Sequence, residues 1–260
     1  MNNKLNAIAI IPARFASTRF PAKAIALLDG KPIIQHVYQR VVDSGLFSQV
    51  LVATDHQAIY DAVTALGGKP VMTSEHHQSG SDRIAEAALM FPDAQIIVNV
   101  QGDEPLIDTT SLANLIAAFT ASEVQMASLM TPITDAAMLN NPNIVKVVTD
   151  ALDNALYFSR SPIPYNRDRD ITCTYYRHIG VYAYRRETLL RFVALPPSRL
   201  ELLEKLEQLR ALEAGIPIRM IITDYQGIGI DTPEDLAQVE SYLLNNSVSS
   251  KELFNKELKS

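Results

Sequence analysis

The chain has 260 residues, of which 47% are hydrophobic and 20% charged, a composition typical of a globular protein and not of a disordered one. Its net charge of −6 argues against a nucleic-acid partner, and no apolar window has the length of a membrane span, so we expect neither kind of partner. Cys173 is the only cysteine, which excludes an internal disulfide and a cysteine-based metal cluster and is typical of the reducing cytoplasm.

A basic loop follows the first predicted strand. The apolar run 8–11 predicts a buried strand that stops at Pro12. Because ligands bind outside the carboxyl ends of strands in open α/β sheets, the following loop is placed where a phosphate would bind. The loop lacks the glycine pattern of a dinucleotide fold and the Gly-Lys-Ser/Thr ending of a P-loop, so charged side chains must carry more of the binding. Unless it is only a solvated surface, its working groups are Arg14, Ser17, Thr18, Arg19 and Lys23.

Strand-like and helix-like segments alternate through the first half of the chain. This alternation predicts βαβ units and a parallel sheet. Helices are predicted at 32–44, 55–66, 81–91 and 110–119, and strands at 49–53, from Val71, and at 95–100.

The pattern changes in the second half of the chain. Closely spaced β-rich segments at 143–150, 155–160 and 175–185 predict an antiparallel insertion at 133–195 that serves substrate recognition or dimerisation. The core would then comprise 1–132 and 196–245, and bind the nucleotide. It would include one amphipathic helix at 198–214, a strand at 217–223 and a last helix capped by Asp231 or Thr232. The polar tail 246–260 is predicted to be flexible.

Acidic side chains follow the strand predicted at 95–100 and precede the last helix. Asp103 comes after Gly102, which permits close backbone approach, and Asp231 has a similar strand-to-helix position. Each aspartate alone is more often a structural residue. Together with the cationic loop, the two predict a site in which carboxylates hold Mg²⁺ against phosphate oxygens, while the arginines and the lysine neutralise the remaining charge.

At these motifs the chain resembles a known family. IPARFASTRFPAK, VATD, HHQSGSDR, VNVQGDEP, ALYFSR, RHIGVYAYR, LEKLEQLR and GIDTPEDL, in this order over about residues 8–244, are similar to the motifs of the 3-deoxy-manno-octulosonate (Kdo) cytidylyltransferases. The resemblance implies a nucleotide-diphospho-sugar transferase-like, Rossmann-like α/β fold with a mostly parallel sheet. It also implies a homodimer, CTP, an acidic eight-carbon sugar and Mg²⁺ as partners, and a role in lipopolysaccharide biosynthesis.

The resemblance also implies roles for particular residues. The CTP phosphates would be bound by Arg14 and Lys23, which would act in catalysis together with Asp103 and Asp231, the two Mg²⁺ ligands. The base, the ribose and their surroundings would be contacted by Pro12, Ala13, Ser79, Gly80, Arg83 and Gln101. The sugar would be contacted by Arg19, Gln101, Arg160, His178, Tyr182, Glu207 and Gln208.

The sugar-side roles agree with the chemistry of the residue types to different degrees. An arginine can hold the carboxylate of Kdo by a bidentate pair. Without the resemblance, His178 would be taken for a satisfied core histidine, and Glu207 and Gln208 for solvated helix positions. The implied reaction is attack of the anomeric hydroxyl of Kdo on the α-phosphorus of CTP, and no side chain stands out as its general base.

The first loop departs from the family pattern at one position. It reads PAKAI, where the family usually has Gly-Lys-Pro around this lysine. Ala22 adds a methyl group and disfavours positive φ, so we expect a slightly different backbone here. We expect the change to alter the affinity for CTP and not the class of reaction.

Two other functions remain open from the sequence, and a third is disfavoured. A cytidylyltransferase for 8-amino-Kdo or a sialic acid would share most motifs, although ALYFSR and LEKLEQLR favour the Kdo branch over sialic acid. A nonenzymatic nucleotide-sugar sensor would not require the two aspartates and Lys23 together. An NAD oxidoreductase is disfavoured because the glycine fingerprint is missing.

Overall fold

A nine-stranded sheet forms the centre of the fold in a computed structural model that describes residues 5–16, 20–168 and 171–243. The strands are β1 (Ala7–Ala13), β2 (Leu27–Leu28), β3 (Lys31–Pro32), β4 (Gln49–Thr54), β5 (Pro70–Met72), β6 (Ile96–Asn99), β7 (Met126–Pro132), β8 (Lys146–Thr149), β9 (Ala155–Ser159), β10 (Tyr176–Arg185) and β11 (Ile218–Ile222). Of these, β2 and β3 form a separate two-stranded sheet.

Helices cover both faces of this sheet. They are α1 (Ile33–Asp43), α2 (Gln57–Ala65), α3 (Gly80–Ala88), α4 (Thr109–Ala117), α5 (Ala136–Asn140), α6 (Arg186–Val193), α7 (Arg199–Glu204), α8 (Gln208–Glu213) and α9 (233–243), with 3₁₀ turns at Lys23–Ile25 and Ala118–Thr120. In the described part of the chain, no helix combines the length and the apolarity that a membrane crossing requires.

The order of the strands confirms an α/β fold with a mostly parallel sheet. Along the main path the order is β11-β7-β10-β6-β1-β4-β5. β1 runs parallel to both β4 and β6, β4 is parallel to β5, and β7 is parallel to β11, whereas β10 is antiparallel to its neighbours β6 and β7. The antiparallel strands β8 and β9 extend from β10. The carboxyl ends of β1, β4 and β6 therefore lie at one edge of the sheet, where the predicted site residues follow.

The central strand β1 is buried on both faces, as expected for a strand inside a parallel sheet. Its residues Ala9 and Ile11 belong to the apolar layer that packs under α1, α2 and α4. Ile8 and Ile10 belong to the opposite layer, which packs under α3, α6 and α8. This continuous burial explains why the first strand is evident from the sequence and why polar residues begin only after it ends.

The predicted helices and strands of the first half are all present, with ends displaced by a few residues. Sequence analysis did not predict β7 or α6. β10 falls inside the predicted insertion 133–195, but it pairs with β6 and β7 in the central sheet. The division of the chain into a core and an insertion stays a prediction, and the tail predicted at 246–260 lies outside the described residues.

The single helix predicted at 198–214 is wrong, because the structure has two short helices there. α7 ends at Glu204, the following Lys205 has a left-handed backbone with φ 55° and ψ 47°, and α8 begins at Gln208. The carboxylate of Glu204 accepts hydrogen bonds from Ser159 Oγ (2.7 Å) and from the backbone N of Arg160 (3.0 Å), which ties the break to β9. Leu206 and Leu209 are buried after the break, whereas Leu202 on α7 is exposed.

The last helix is capped by Thr232, which decides between the two predicted caps. Thr232 Oγ1 accepts from the backbone N of Asp235 at 3.2 Å, and Asp235 Oδ2 accepts from the backbone N of Thr232 at 2.9 Å. This reciprocal arrangement is a capping box. Asp231 precedes the cap, and its carboxylate contacts Lys23 instead.

Ala22 adopts the left-handed backbone conformation that its methyl group disfavours, with φ 55° and ψ 25°. We expect Ala22→Gly to raise the free energy of unfolding by about 0.5–1 kcal/mol, since the relieved strain exceeds the added entropy of the unfolded chain. Urea denaturation measures the change. In the control, Ala62→Gly within α2, the free energy should fall by about 0.5–1 kcal/mol. A destabilised Ala22→Gly variant would contradict the prediction.

Candidate active site

The loops at the carboxyl edge of the sheet surround a cleft with a volume of about 400 Å³. The loop after β1, the loop after β6, the start of α3 and the segment before α9 all contribute to its wall. Both predicted metal ligands and every predicted nucleotide-binding residue line it: Pro12, Ala13, Arg14, Lys23, Ser79, Gly80, Arg83, Gln101, Asp103 and Asp231. Residues that are far apart in the sequence are thus brought together at the predicted edge.

An ammonium group between two carboxylates is the electrostatic centre of the cleft. Lys23 Nζ lies 2.6 Å from Asp103 Oδ2 and 3.0 Å from Asp231 Oδ1. Burial alone would lower the pKa of Lys23, but the charges and hydrogen bonds of the two aspartates raise it above its ordinary value. Lys23 therefore stays protonated at neutral pH, and its charge balances part of the carboxylate charge.

The two carboxylates fit a magnesium site. Their oxygens converge on one cationic group, the Lys23 ammonium. No cluster of three or more His, Cys, Asp or Glu side chains suited to a metal occurs among the described residues. Mg²⁺ usually takes only one or two protein carboxylates and completes its shell with water and substrate phosphates. Asp103 and Asp231 are therefore a sufficient protein contribution.

Gly102 lets the loop that carries Asp103 pack against the end of β1. A Cβ atom at this position would lie 2.8 Å from the backbone oxygen of Pro12. Since real Cβ atoms do not approach that closely, any side chain at residue 102 would push the two loops apart. The predicted close backbone approach at Gly102 is confirmed, and it brings Asp103 next to the first loop.

Arg83 is held in the cleft wall by Asp55, a residue that sequence analysis did not select. Arg83 Nη2 pairs with Asp55 Oδ2 at 2.7 Å, and Arg83 Nη1 donates to Thr73 Oγ1 at 2.6 Å. The other oxygen of Asp55 accepts from the backbone N of Phe15 at 3.1 Å, which anchors the first loop as well. Asp55 lies two residues after the end of the predicted strand 49–53, and this position at a strand end was the available signal.

Three of the predicted sugar-binding residues lie on β10 or contact it: His178, Tyr182 and Gln101. The ring centroids of His178 and Tyr182 are 5.3 Å apart, and Gln101 Nε2 donates to the backbone oxygen of Gly180 at 2.8 Å. Burial, followed by the charge of Tyr184 and then that of Glu207, raises the pKa of Tyr182. These contacts connect the strand of His178 and Tyr182 with the nucleotide cleft, which Gln101 also lines.

Glu207 and Gln208 present buried polar atoms that the described residues leave without a hydrogen-bond partner. These atoms are Glu207 Oε1 and Gln208 Nε2, although Arg210 Nη2 lies 3.6 Å from the former. Glu207 Oε2 accepts from Ser81 Oγ at 2.7 Å, so the side chain is anchored at the start of α3. Buried polar atoms without partners are costly, and a polyhydroxy ligand would satisfy them.

One predicted sugar-binding residue that the structure describes, Arg160, does not join this group. Arg160 Nε donates to the backbone oxygen of Glu204 at 2.7 Å, and its Nη1 donates to that of Pro142 at 2.9 Å. The guanidinium is thus engaged with backbone carbonyls near the helix break. Arg19 lies outside the described residues.

His178 is held as a neutral ring. Ser128 Oγ donates to the backbone oxygen of Val181 at 2.9 Å, so it accepts from His178 Nε2 at 2.9 Å. Burial, and then the charge of Arg177, lowers the pKa of His178 to about 3. Between pH 6.5 and 3 the unfolded chain therefore binds a proton that the folded chain does not, and the free energy of unfolding falls as the pH falls.

We expect His178→Gln to remove this acid sensitivity, which amounts to about 1–2 kcal/mol at pH 5 relative to pH 7. Denaturant titrations at the two pH values measure it. The control is His76→Gln, since His76 is exposed. A His178→Gln variant that loses as much stability on acidification as the unmodified chain would contradict the prediction.

Comparison with known proteins gives consistent matches along the chain. The model of the cytidylyltransferase family matches residues 8–221. A 3-deoxy-manno-octulosonate cytidylyltransferase of Geobacter metallireducens is 50% identical over 244 residues, which cover 89% of this chain and 95% of the relative. The same enzyme of Flavobacterium johnsoniae is 49% identical over 239 residues, which cover 91% of this chain and 98% of the relative.

Solved structures agree with these matches. The structure of CMP:2-keto-3-deoxy-manno-octonic acid synthetase complexed with CTP has a TM-score of 0.88 and 41% identity, covering 92% of this chain and 99% of that one. A 4-diphosphocytidyl-2C-methyl-D-erythritol synthase from Anaerococcus prevotii has a TM-score of 0.64 and 15% identity, covering 93% of this chain and 100% of that one, which shows a shared fold alone. These matches show that the chain belongs to the cytidylyltransferase family and, within it, to the 3-deoxy-manno-octulosonate cytidylyltransferases.

Proposed function

We propose that the protein transfers a cytidylyl group from CTP to Kdo and releases pyrophosphate. The observation that carries this proposal is the convergence of Lys23, Asp103 and Asp231 in a cleft that Arg14 and Arg83 also line. Cations and two carboxylates in one cleft suit a nucleoside triphosphate with a divalent metal. The family membership supplies cytidine as the base and Kdo as the acceptor.

In the proposed reaction, the anomeric hydroxyl oxygen of Kdo forms a bond to the α-phosphorus of CTP. The bond between that phosphorus and the bridging oxygen of the β-phosphate breaks, pyrophosphate leaves, and the hydroxyl proton passes to solvent. Arg14 and Lys23 would hold the phosphates and offset the negative charge that develops there. Positioning and electrostatics can supply most of the rate because phosphoryl chemistry asks for little covalent work by the protein.

Asp103 and Asp231 would hold Mg²⁺ beside the α-phosphate. Their oxygens already face a common cationic group, and their side chains are 29% and 46% exposed, so a ligand from solvent can reach them. Bound Mg²⁺ would offset phosphate charge and polarise the reacting phosphorus.

The acidic sugar would lie against β10 and the start of α8. His178, Tyr182 and Gln101 would form one wall, and the polar atoms of Glu207 and Gln208 would meet hydroxyl groups. Arg19 and Arg160 would bind the carboxylate. For Arg160 this requires exchange of its backbone partners for the ligand, since its Nε and Nη1 now donate to carbonyl oxygens.

The protein would act as a homodimer in the cytoplasm, in lipopolysaccharide biosynthesis. Exposed apolar side chains support the dimer: Leu152 and Leu156 flank Asn154, which bridges to Arg219 on the edge strand β11, and Ile222 on the same strand is also exposed. A second copy of the chain would cover this surface. A strictly monomeric mass at micromolar concentration would contradict the dimer.

Release of pyrophosphate tests the proposed function. The purified protein is incubated with CTP, Mg²⁺ and either Kdo or 8-amino-Kdo. Metal-dependent release with Kdo supports the proposal. Release only with 8-amino-Kdo would keep the reaction and change the substrate. Binding of CTP without release in either mixture would indicate a nucleotide-sugar sensor and would overturn the enzymatic proposal.

A further inference from the structure

A partly buried hydrogen bond lies between the Asp103 loop and the segment that ends at Asp231. Tyr225 Oη donates to Glu104 Oε2 at 3.0 Å, and Glu104 is only 8% exposed. Glu104 is the chain neighbour of Asp103, and Tyr225 belongs to the segment 224–231, which ends at Asp231. The bond thus joins the two loops that carry the proposed metal ligands, although neither of its partners is itself a ligand.

Two further contacts fasten the segment 224–231 in the same place. The backbone N of Ile230 donates to the backbone oxygen of Asp103 at 2.9 Å. Arg177 Nη2 on β10 donates to the backbone oxygen of Gly227 at 3.2 Å. Gly227 has φ 58°, and a Cβ atom there would lie 3.2 Å from Arg177 Nη2 and from two carbon atoms of Ile179. The segment is therefore held both to the Asp103 loop and to β10.

The two hydrogen bonds between the loops differ in whether they depend on a side chain. The bond from Ile230 joins backbone atoms next to both aspartates and persists with any side chain. The bond from Tyr225 is the side-chain contact between the loops, and it lies at the opposite end of the segment from Asp231. Without it, the backbone bond from Ile230 would be the one hydrogen bond among the described residues that still joins the segment to the Asp103 loop.

We propose that Tyr225 is a positioning residue, whose bond to Glu104 sets the separation of the Asp103 and Asp231 carboxylates. This inference rests on the proposed function, because the separation matters only if the two carboxylates bind a divalent cation. Groups that hydrogen-bond directly to a metal ligand typically change metal affinity by about 10- to 100-fold when they are removed, and Tyr225 acts one bond further out, so we expect the lower end of this range.

The test compares Tyr225→Phe with a matched control, Tyr38→Phe. Tyr38 is 8% exposed on α1, and its hydroxyl accepts a hydrogen bond from the backbone N of Lys69 at 3.2 Å. Both variants lose a phenolic hydroxyl and a hydrogen bond that joins two segments of the chain, but only the bond of Tyr225 joins the loops of the cleft. Thermal unfolding gives the structural cost of each substitution.

Two readouts separate positioning from a general loss of stability. One is the Mg²⁺ concentration that gives half-maximal pyrophosphate release at saturating CTP. The other is the affinity of the CTP-bound protein for Mn²⁺, measured by electron paramagnetic resonance without any sugar. Tyr225→Phe should weaken both by about tenfold, with the KM for CTP within about twofold of the original value. Tyr38→Phe should leave both unchanged.

The outcomes distinguish this inference from the proposed function. If the unmodified protein binds Mn²⁺ and Tyr225→Phe binds it equally well, the positioning role is overturned. It is also overturned if Tyr38→Phe weakens Mn²⁺ binding as much as Tyr225→Phe does. The proposed function stands in both cases. If the unmodified protein needs no divalent cation, the metal part of the proposed function fails first. In an Asp231→Asn background, Tyr225→Phe should change Mn²⁺ affinity no further, because the carboxylate that it positions is already gone.

Discussion

An Asp103→Asn variant is expected to lower kcat by about 10²–10³-fold while it retains the fold. Asp103 supplies one of the two carboxylate oxygens that converge on Lys23, at 2.6 Å. An amide has nearly the same size, but it carries no charge to hold a divalent cation or to balance the ammonium. Initial rates of pyrophosphate release at saturating CTP and sugar measure the effect.

The control for this variant is Asp43→Asn. Asp43 is exposed at the end of α1, where one of its oxygens accepts from Gln39 Nε2, a role that an amide oxygen can fill. Its turnover and thermal unfolding should match those of the unmodified chain. If Asp103→Asn turned over at the normal rate with an intact fold, Asp103 would not be a metal ligand, and the two-carboxylate site would be wrong.

The location of the cleft was predictable because it depends on strand ends. The strand predicted to stop at Pro12 continues through it to Ala13, because Pro12 and Ala13 still pair with β4. The strand before Asp103 is equally apolar, so both loops are expected at one edge of a parallel sheet. The predicted nucleotide-binding and metal-binding residues do lie together there. What the sequence did not indicate is the direct contact of Lys23 with both aspartates, which depends on the packing of three distant loops.

The break between α7 and α8 could not be predicted from local sequence. Leucines at 202, 206, 209 and 212 suit one continuous amphipathic helix. The structure interrupts the helix at Lys205 because Glu204 is bonded to Ser159 and Arg160, which are distant in the chain. Glu207 follows this break, and there one of its oxygens accepts from Ser81 while the other is buried without a hydrogen-bond partner among the described residues.

The missed strand β7 illustrates a different limit. Its sequence, MASLMTP, contains one β-branched residue, Thr131, and so has a weak intrinsic preference for a strand. Its conformation is set by its neighbours, because β7 pairs with β10 on one side and with β11 on the other. Ser128 within it supports His178, so a residue that orients a predicted site side chain lay in a segment without a sequence signal.

Replacement of Lys23 by methionine is expected to have two opposite effects. Catalytic efficiency with CTP should fall by about 10²–10³-fold, because the phosphates lose a positive charge in a partly buried cleft. The affinity of the nucleotide-free protein for Mn²⁺ should rise, because the ammonium no longer competes for Asp103 Oδ2 and Asp231 Oδ1. Partly exposed ion pairs contribute about 0.2–1 kcal/mol each, so the release of two predicts a gain of about 2- to 30-fold.

Titration with Mn²⁺ in the absence of CTP measures this gain, with Lys31→Met as the control because Lys31 is exposed on β3. A Lys23→Met variant that loses activity without binding Mn²⁺ more tightly would show that the ammonium does not occupy the position of the metal. The predicted combination has a mechanistic consequence. If Lys23 pairs with the two carboxylates until CTP binds, the ammonium then pairs with the phosphates instead. The two carboxylates are thereby freed for the metal when the nucleotide binds.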